Sequence, residues 1–219
     1  MEGIRTAIVC TGPADVVAPK RRSLPEHDFV VAADSGLDLA KRLGLHVDVA
    51  VGDFDSADAA SVEEAEDAGA TIERHPADKD ATDLELALDA ALARNARRIV
   101  VLGGDGGRPD HALANLLLLG ASRYAHVDIE AHTDSARVFV VTHHLELPAE
   151  PGALVSLLPI GDGAHGVHTS GLQFPLNGDV LESGSTRGVS NVITRRPATV
   201  DVSAGALLAV LPEPTGATP

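Results

Sequence analysis

Several aspartates of this sequence lie just after apolar runs, where strands are expected to end. Asp53 and Asp55 follow the largely apolar run 47–51 after Gly52, and Asp34 directly follows the apolar run 29–33. Paired oxygen donors of this kind suit Mg²⁺, a hard cation that usually also takes substrate phosphates. The alternative is structural, since Asp55 or Ser56 could cap the N-terminus of the helix that follows.

A second acidic stretch, DKDATD at 78–83, precedes the strongest helical pattern of the sequence. Asp78, Asp80 and Asp83 bring three negative charges into six residues, and like charges repel unless a cation or solvent compensates them. The alternative is again local. Thr82 and Glu85 have the spacing of a capping box, and Asp83 could then be a favourable first-turn charge.

A glycine-rich stretch, GGDGGRPD at 103–110, follows the apolar run 98–102. Uncovered backbone amides before a helix N-terminus are a natural cradle for phosphate, and the Arg108 guanidinium could grip phosphate through two hydrogen bonds. His111 and Asn115 share one face of the helix expected after Pro109. The sequence contains no G-x-x-x-x-G-K-[ST] stretch, so the usual P-loop is excluded.

These stretches can meet only if the elements between them place them at one edge. Runs of mainly apolar residues predict strands at 4–11, 29–33, 47–51 and 98–102, with a shorter strand at 71–73. Helical patterns at 37–43, 61–68, from Leu84 onward and at 109–120 alternate with these strands. Alternation of this kind predicts a mostly parallel sheet flanked by helices. The strand ends should then bring Asp34, Asp53 and the glycine stretch together.

From about Val127 the pattern changes to short β-rich pieces separated by Gly, Pro and Asp. This predicts an all-β, sandwich-like C-terminal domain. We therefore expect an α/β domain over residues 1–130, a β domain over 131–213 and a tail over 214–219, with disorder expected from Pro212.

The composition limits the classes of partner. The 32 Asp and Glu against 17 Lys and Arg give a net charge of −15, which argues against nucleic acid or an anionic membrane. A phosphate-bearing substrate would therefore need a divalent cation. Cys10 is the only cysteine, so neither a disulfide framework nor a cysteine-based zinc site is expected. Without a signal-like or membrane-length apolar run, the prediction is a cytoplasmic protein.

The order and spacing of these stretches resemble the thiamine pyrophosphokinase family. The matching stretches are DSG (34–36), GDFDS (52–56), DKDATD (78–83) and GGDGGRPDHALAN (103–115). A later pair, GLQF (171–174) and GVSN (188–191), is similar to that family's C-terminal signature. The resemblance covers nearly the whole chain.

The resemblance implies an enzyme that uses Mg²⁺ and ATP as co-substrate and moves the pyrophosphoryl group of ATP to the hydroxyl of thiamine, giving thiamine diphosphate and AMP. It also implies a β domain that binds thiamine and a homodimer with active sites at the subunit interface. The residues it assigns are catalytic Asp53, Asp55, Asp80 and Asp83, with Asp53, Asp55 and Asp83 as metal ligands; ATP-binding Asp34, Gly104, Arg108, Asp110 and Asn115; and thiamine-binding Phe174, Ser190 and Asn191.

Two departures from the family pattern bear on the assignment. Ser35 stands where the family usually has glycine, which would be costly if this position needs a positive φ. The chain has no Trp, so Phe174 is the ring expected to stack on thiamine, or else it packs in the β core. Two other functions stay open from the sequence: a pyrophosphokinase of another alcohol, such as a hydroxymethyl pterin, and a non-catalytic acidic metal-binding module.

Overall fold

The computed structural model describes residues 5–12, 24–104 and 108–213. Within them the chain forms two compact units. The first contains the described residues up to Leu118 together with His126–Asp134. The second contains Leu119–Ala125 and the described residues from Ser135 onward. Within the described ranges, no helix is long and apolar enough to cross a membrane.

The first unit is built on six strands in the order β4-β3-β2-β1-β5-β6. Every neighbouring pair in this order is parallel. Residues of β1, β2 and β3 are all buried, as the continuous apolar runs predicted. The strands are β1 (Thr6–Thr11), β2 (Phe29–Ala33), β3 (Val49–Gly52), β4 (Thr71–Arg74), β5 (Arg98–Leu102) and β6 (Asp128–His132).

Within the described residues, four α-helices lie between these strands: α1 (Gly36–Leu43), α2 (Ala59–Asp67), α3 (Asp83–Ala93) and α4 (Pro109–Leu119). Gly44 ends α1 in the left-handed conformation, with φ 63°. The Asp58 side chain caps α2 by accepting from the Ala60 N–H at 3.2 Å, so the alternative that Asp55 or Ser56 caps this helix is wrong. Thr82 caps α3, as the capping box predicted, because its Oγ1 accepts from the Glu85 N–H at 3.2 Å.

β6 lies just after Val127, where the sequence pattern predicted that the β-rich half of the chain begins. It pairs in parallel with β5, so it extends the sheet of the first unit rather than opening the β-rich half. Its side chains alternate between buried and more exposed positions, and this pattern of a half-covered strand is also typical of an antiparallel sheet. The sequence pattern therefore could not distinguish the two.

The second unit is antiparallel in every strand pair recorded within it. One strand of this unit is 17 residues long and pairs with four of the others, where the sequence pattern predicted only short pieces. The strands are β7 (Ala136–Val141), β8 (His144–Glu146), β9 (Leu154–Ser170), β10 (Asn177–Leu181), β11 (Asn191–Val192), β12 (Thr199–Asp201) and β13 (Ala204–Pro212).

The core of the second unit is a cluster of buried aliphatic side chains that includes Leu157, Leu181 and Leu207. The expected all-β C-terminal domain is confirmed. β13 continues through Pro212, so the chain at that residue is strand and not tail. Residues 214–219 lie outside the described residues.

Candidate active site

The C-terminal ends of four neighbouring parallel strands surround a cleft of about 820 Å³ in the first unit. Thr11 ends β1, Asp34 follows β2, Asp53 follows β3 and Gly104 follows the end of β5, and all four residues line this cleft. Open α/β sheets bind ligands at this edge. The predicted convergence of the acidic and glycine-rich stretches is therefore confirmed for the residues that the structure describes.

Three carboxylates come together in the cleft. Asp34, Asp53 and Asp83 each offer one oxygen, and these oxygens lie within 4.8 Å of one another. We call these three residues the carboxylate cluster. Their positions at the ends of two strands and at the start of α3 explain why residues so distant in sequence meet.

Backbone geometry aims Asp34 into the cluster. This residue is 8% exposed and has φ 47°, in the left-handed region. Its N–H donates to the Val51 carbonyl at 2.9 Å, and one carboxylate oxygen accepts a hydrogen bond from the Ser56 hydroxyl. Ser35 has φ −60°, so serine costs no backbone strain there. Glycine is required instead at position 36, because a Cβ on Gly36 would collide with the Cys10 carbonyl.

Asp53 is held by groups that favour its ionised form. The Asp55 N–H donates to its Oδ1 at 3.2 Å, and the Lys79 ammonium lies 3.3 Å from its Oδ2. The hydrogen bond from Asp55, with a further contribution from Lys79, keeps the pKa of Asp53 below its ordinary value. Phe54, between the two acids, has φ 60°, and the guanidinium of Arg74 lies 5.1 Å from the centre of its ring.

Asp83 has the opposite tendency. Burial raises the pKa of Asp83, and the neighbouring Lys79 opposes that shift while Asp34 and Asp53 reinforce it. Asp83 is also the first residue of α3, where the helix dipole favours a negative charge. The first-turn role proposed from the sequence therefore holds together with membership of the cluster.

The cluster fits a divalent cation with oxygen ligands. Oδ1 of Asp34 is buried and has no hydrogen-bond partner, and Oδ1 of Asp83 is buried with the Lys79 ammonium 3.0 Å away. An unsatisfied buried oxygen is costly, and a hard cation such as Mg²⁺ would bind both of these oxygens.

Two further predicted acids lie outside this cluster. Asp55 is exposed and lines the cleft, but it contributes no oxygen to the group of three. Asp80 is exposed and does not line the cleft. Their assigned roles stay predictions.

The glycine stretch is fixed by side-chain and backbone contacts where the structure describes it. Gly103 and Gly104 have φ 91° and 95°, and a Cβ on Gly103 would collide with the Thr11 carbonyl. The Asn115 amide donates through Nδ2 to the Gly104 carbonyl at 2.9 Å. Asn115 therefore holds the loop in place. Residues 105–107 of this stretch lie outside the described ranges.

Arg108 and Asp110 form an exposed two-pronged pair. Nη2 of Arg108 lies 2.6 Å from Oδ2 of Asp110, and its Nε lies 3.2 Å from Oδ1. The hydrogen bond from Arg108 lowers the pKa of Asp110 to about 2. Arg108, His111 and Asn115 line the cleft, whereas Asp110 does not.

In the second unit, Asn191 joins the two C-terminal signature stretches. Its side chain is 3% exposed. Its Oδ1 accepts from the N–H groups of Phe174 at 3.0 Å and Val192 at 2.9 Å, and its Nδ2 donates to the Phe174 carbonyl at 2.7 Å. The Phe174 side chain itself is 62% exposed, so the alternative that it packs in the β core is wrong. Ser190 is exposed, has φ 59° and donates its N–H to the Ser156 hydroxyl at 3.1 Å.

Sequence reasoning missed Lys79 and Ser56 as members of the site. Both line the cleft and contact the carboxylate cluster. A signal for Lys79 was present, because three acids within six residues call for a nearby positive charge and Lys79 lies among them. Ser56 carried no such signal beyond its place next to Asp55.

Comparisons with known proteins agree across both units. Residues 21–131 match the family model described as "Thiamin pyrophosphokinase, catalytic domain", and residues 142–207 match "Thiamin pyrophosphokinase, vitamin B1 binding domain". The chain is 28% identical over 205 residues to a thiamine pyrophosphokinase of Bacillus subtilis, covering 93% of this chain and 96% of that protein.

Solved structures give the same result. A crystal structure of thiamine pyrophosphokinase from Bacillus subtilis superposes with a TM-score of 0.82 at 26% identity and covers 96% of this chain and 100% of its own. A crystal structure of thiamin pyrophosphokinase from Geobacillus thermodenitrificans superposes with a TM-score of 0.79 at 28% identity and covers 97% of this chain and 99% of its own.

Proposed function

The chain belongs to the thiamin pyrophosphokinase family, and we propose that the cleft of its first unit is where it carries out that family's reaction. The reaction transfers the pyrophosphoryl group of ATP to the hydroxyl oxygen of thiamine, giving thiamine diphosphate and AMP. The observation that carries the proposal is the convergence of Asp34, Asp53 and Asp83 beside the glycine loop. The matched families and relatives favour neither a pterin substrate nor a non-catalytic module.

Mg²⁺ is the cation proposed for the carboxylate cluster. The family resemblance implied Asp53, Asp55 and Asp83 as its ligands. The geometry favours Asp34 in place of Asp55, because among the described residues Asp34, and not Asp55, joins the other two within 4.8 Å. The buried oxygen of Asp34 that lacks a hydrogen-bond partner supports this choice. When bound, the metal would supply charge neutralisation for the phosphates of ATP.

The residues around the cluster are proposed to position the nucleotide. Asn115 fixes the Gly104 carbonyl and thereby the loop that would face the phosphates. Arg108 lines the same cleft, and its planar guanidinium suits phosphate oxygens. Asp110 holds that guanidinium by two hydrogen bonds and so acts as a positioning residue for Arg108.

The bond changes are those of an in-line displacement. A bond forms between the hydroxyl oxygen of thiamine and the β-phosphorus of ATP, and the bond from that phosphorus to the α,β-bridging oxygen breaks. AMP leaves with the electron pair. Phosphoryl transfer depends mainly on positioning and charge neutralisation, so no strong base is needed and a carboxylate that lines the cleft suffices to accept the hydroxyl proton.

Phe174 and Ser190 are the proposed thiamine contacts in the second unit. The exposed ring of Phe174 lies within a signature stretch and is suited to stacking on a flat, cationic ligand. Asn191 directs its amide to the backbone of Phe174 and Val192, so its proposed role is to hold Phe174 in place.

The homodimer and the cytoplasmic location also stay proposals, which sedimentation equilibrium and cell fractionation would test.

A product assay tests the proposed function. The purified chain would be incubated with Mg²⁺, ATP and thiamine, and separately with a hydroxymethyl pterin in place of thiamine, and the products separated by liquid chromatography. We expect AMP and thiamine diphosphate in equal amounts and no product with the pterin. AMP release without thiamine diphosphate would contradict the substrate assignment.

A further inference from the structure

Lys79 is placed where it neutralises the carboxylate cluster. Its Nζ lies 3.0 Å from Oδ1 of Asp83 and 3.3 Å from Oδ2 of Asp53, and its side chain is 14% exposed. Lys79 lies in the turn before α3, four residues ahead of Asp83, and its N–H donates to the Ala77 carbonyl at 3.2 Å. The position of the ammonium therefore combines a local i,i+4 contact to Asp83 with a contact to Asp53, which is 26 residues away in the sequence.

The ammonium compensates the cluster only in part. It faces two of the three carboxylates with a single positive charge, through ion pairs of 3.0 Å to Asp83 and 3.3 Å to Asp53. Oδ1 of Asp34 is buried and has no hydrogen-bond partner. A single positive charge thus lies between carboxylates that together would hold a divalent cation.

We propose that Lys79 is a placeholder for the metal, and that its ammonium moves from Asp53 and Asp83 to the phosphate oxygens of the nucleotide when metal and nucleotide bind. This inference rests on the proposed function of the cleft. The ammonium and a divalent cation compete for the same carboxylate oxygens, because both bring positive charge to them. The four-carbon stem of lysine lets its three donors turn from one anion to another without movement of the backbone.

The placeholder role explains how the cleft stays stable when it is empty. Carboxylates held this close repel one another, and Lys79 offsets the repulsion between Asp53 and Asp83 without filling the site permanently. The competing explanation is a fixed salt bridge that only supports the start of α3, as an i,i+4 pair does. A fixed bridge would contribute to stability and would not move to a nucleotide.

Lys79→Met tests the proposal because it keeps the apolar stem and removes the charge. Mn²⁺ binding to the nucleotide-free protein would be followed by electron paramagnetic resonance, and binding of α,β-methylene-ATP with Mg²⁺ by calorimetry. We expect Mn²⁺ to bind about fivefold or more tightly to Lys79→Met than to the wild type, and the nucleotide analogue to bind about fivefold or more weakly. Lys41→Met is the matched control. Lys41 does not line the cleft, and its Nζ lies 2.7 Å from Oε2 of the exposed Glu64. Neither the Mn²⁺ affinity nor the affinity for the nucleotide analogue should change in this variant.

The placeholder role would be overturned if Lys79→Met bound Mn²⁺ or the nucleotide analogue with wild-type affinity, or if it bound Mn²⁺ more weakly. A fixed salt bridge would then be the explanation. If Lys79→Met fails to fold, Lys79→Gln replaces it in the same two measurements. Lys79→Arg keeps the charge, so its Mn²⁺ affinity should stay near that of the wild type, and a gain like that of Lys79→Met would also overturn the role. Wild-type formation of AMP and thiamine diphosphate is measured in parallel, so failure of this inference can be told from failure of the proposed function.

Discussion

Asn191→Ala is expected to destabilise the second unit and to weaken thiamine binding together. The substitution removes an amide that is 3% exposed and that bonds to the backbone of Phe174 on both its N–H and its carbonyl. A third hydrogen bond, from the Val192 N–H, is lost as well. Those backbone groups then lack the partner that holds the two signature stretches together.

The size of the effect follows from these hydrogen bonds. Each contributes about 1 kcal/mol net, and a buried group left without a partner costs more. We therefore expect the free energy of unfolding to fall by about 3 kcal/mol. With a urea dependence of about 2 kcal/mol per molar, the unfolding midpoint would fall by about 1.5 M.

Urea unfolding followed by circular dichroism measures this loss, and Asn177→Ala is the matched control. Asn177 is exposed in the same unit, so its replacement should change the free energy of unfolding by no more than about 0.5 kcal/mol. The KM for thiamine should rise in Asn191→Ala and the KM for ATP should not. A loss below about 1 kcal/mol would refute the reasoning on the hydrogen bonds, and an unchanged KM for thiamine would refute the positioning role.

Phe174→Leu should raise the KM for thiamine several-fold in steady-state kinetics while leaving the melting temperature nearly unchanged, because the ring is 62% exposed; a large fall in melting temperature with an unchanged KM would contradict this. Asp110 should titrate in a carbon-detected NMR experiment with a pKa of about 2. Its pKa is lowered by Arg108, so the pair stabilises the folded state above the ordinary pKa of aspartate and is lost as the pH falls toward 2. Arg108→Lys should return this pKa toward its ordinary value and weaken ATP binding, and a pKa unchanged in that variant would show that the pair does not cause the shift.

The sequence was sufficient to predict the sheet and the edge at which the site lies. Continuous apolar runs such as 29–33 and 98–102 can be buried on both faces only in a covered parallel sheet, and a parallel sheet places the residues after its strands at one edge. The convergence of Asp34, Asp53 and Gly104 follows from that topology alone. The exact side-chain positions were not needed.

The membership of the carboxylate cluster could not be predicted, because it depends on backbone torsions that the residue types do not determine. Asp34 enters the cluster with φ 47°, and Phe54 separates Asp53 from Asp55 with φ 60°. Non-glycine residues adopt such values only when the surrounding structure compensates. Without these torsions, Asp55 was as good a candidate for the cluster as Asp34.

The role of Asn191 was hidden for a different reason. The sequence placed it in a signature stretch but gave no indication that its amide faces the backbone of Phe174. That contact joins residues 17 positions apart through the antiparallel second unit. The contact lies beside the isolated bridge between Leu172 and Ile193 and the two-residue strand β11. Elements this short carry no apolar pattern, so the contact was not predictable.

The most direct test of the carboxylate cluster as the catalytic metal site is the effect of Asp83→Asn on Mg²⁺-dependent turnover. Asp83 contributes a buried carboxylate oxygen to the carboxylate cluster, so loss of its charge should impair the cation site while far-UV circular dichroism shows an unchanged fold. We expect the wild type to form AMP and thiamine diphosphate in equal amounts, and Asp83→Asn to lose about 100-fold or more in kcat at saturating Mg²⁺. A folded Asp83→Asn variant with near wild-type turnover would contradict the assignment of the cluster as the catalytic metal site.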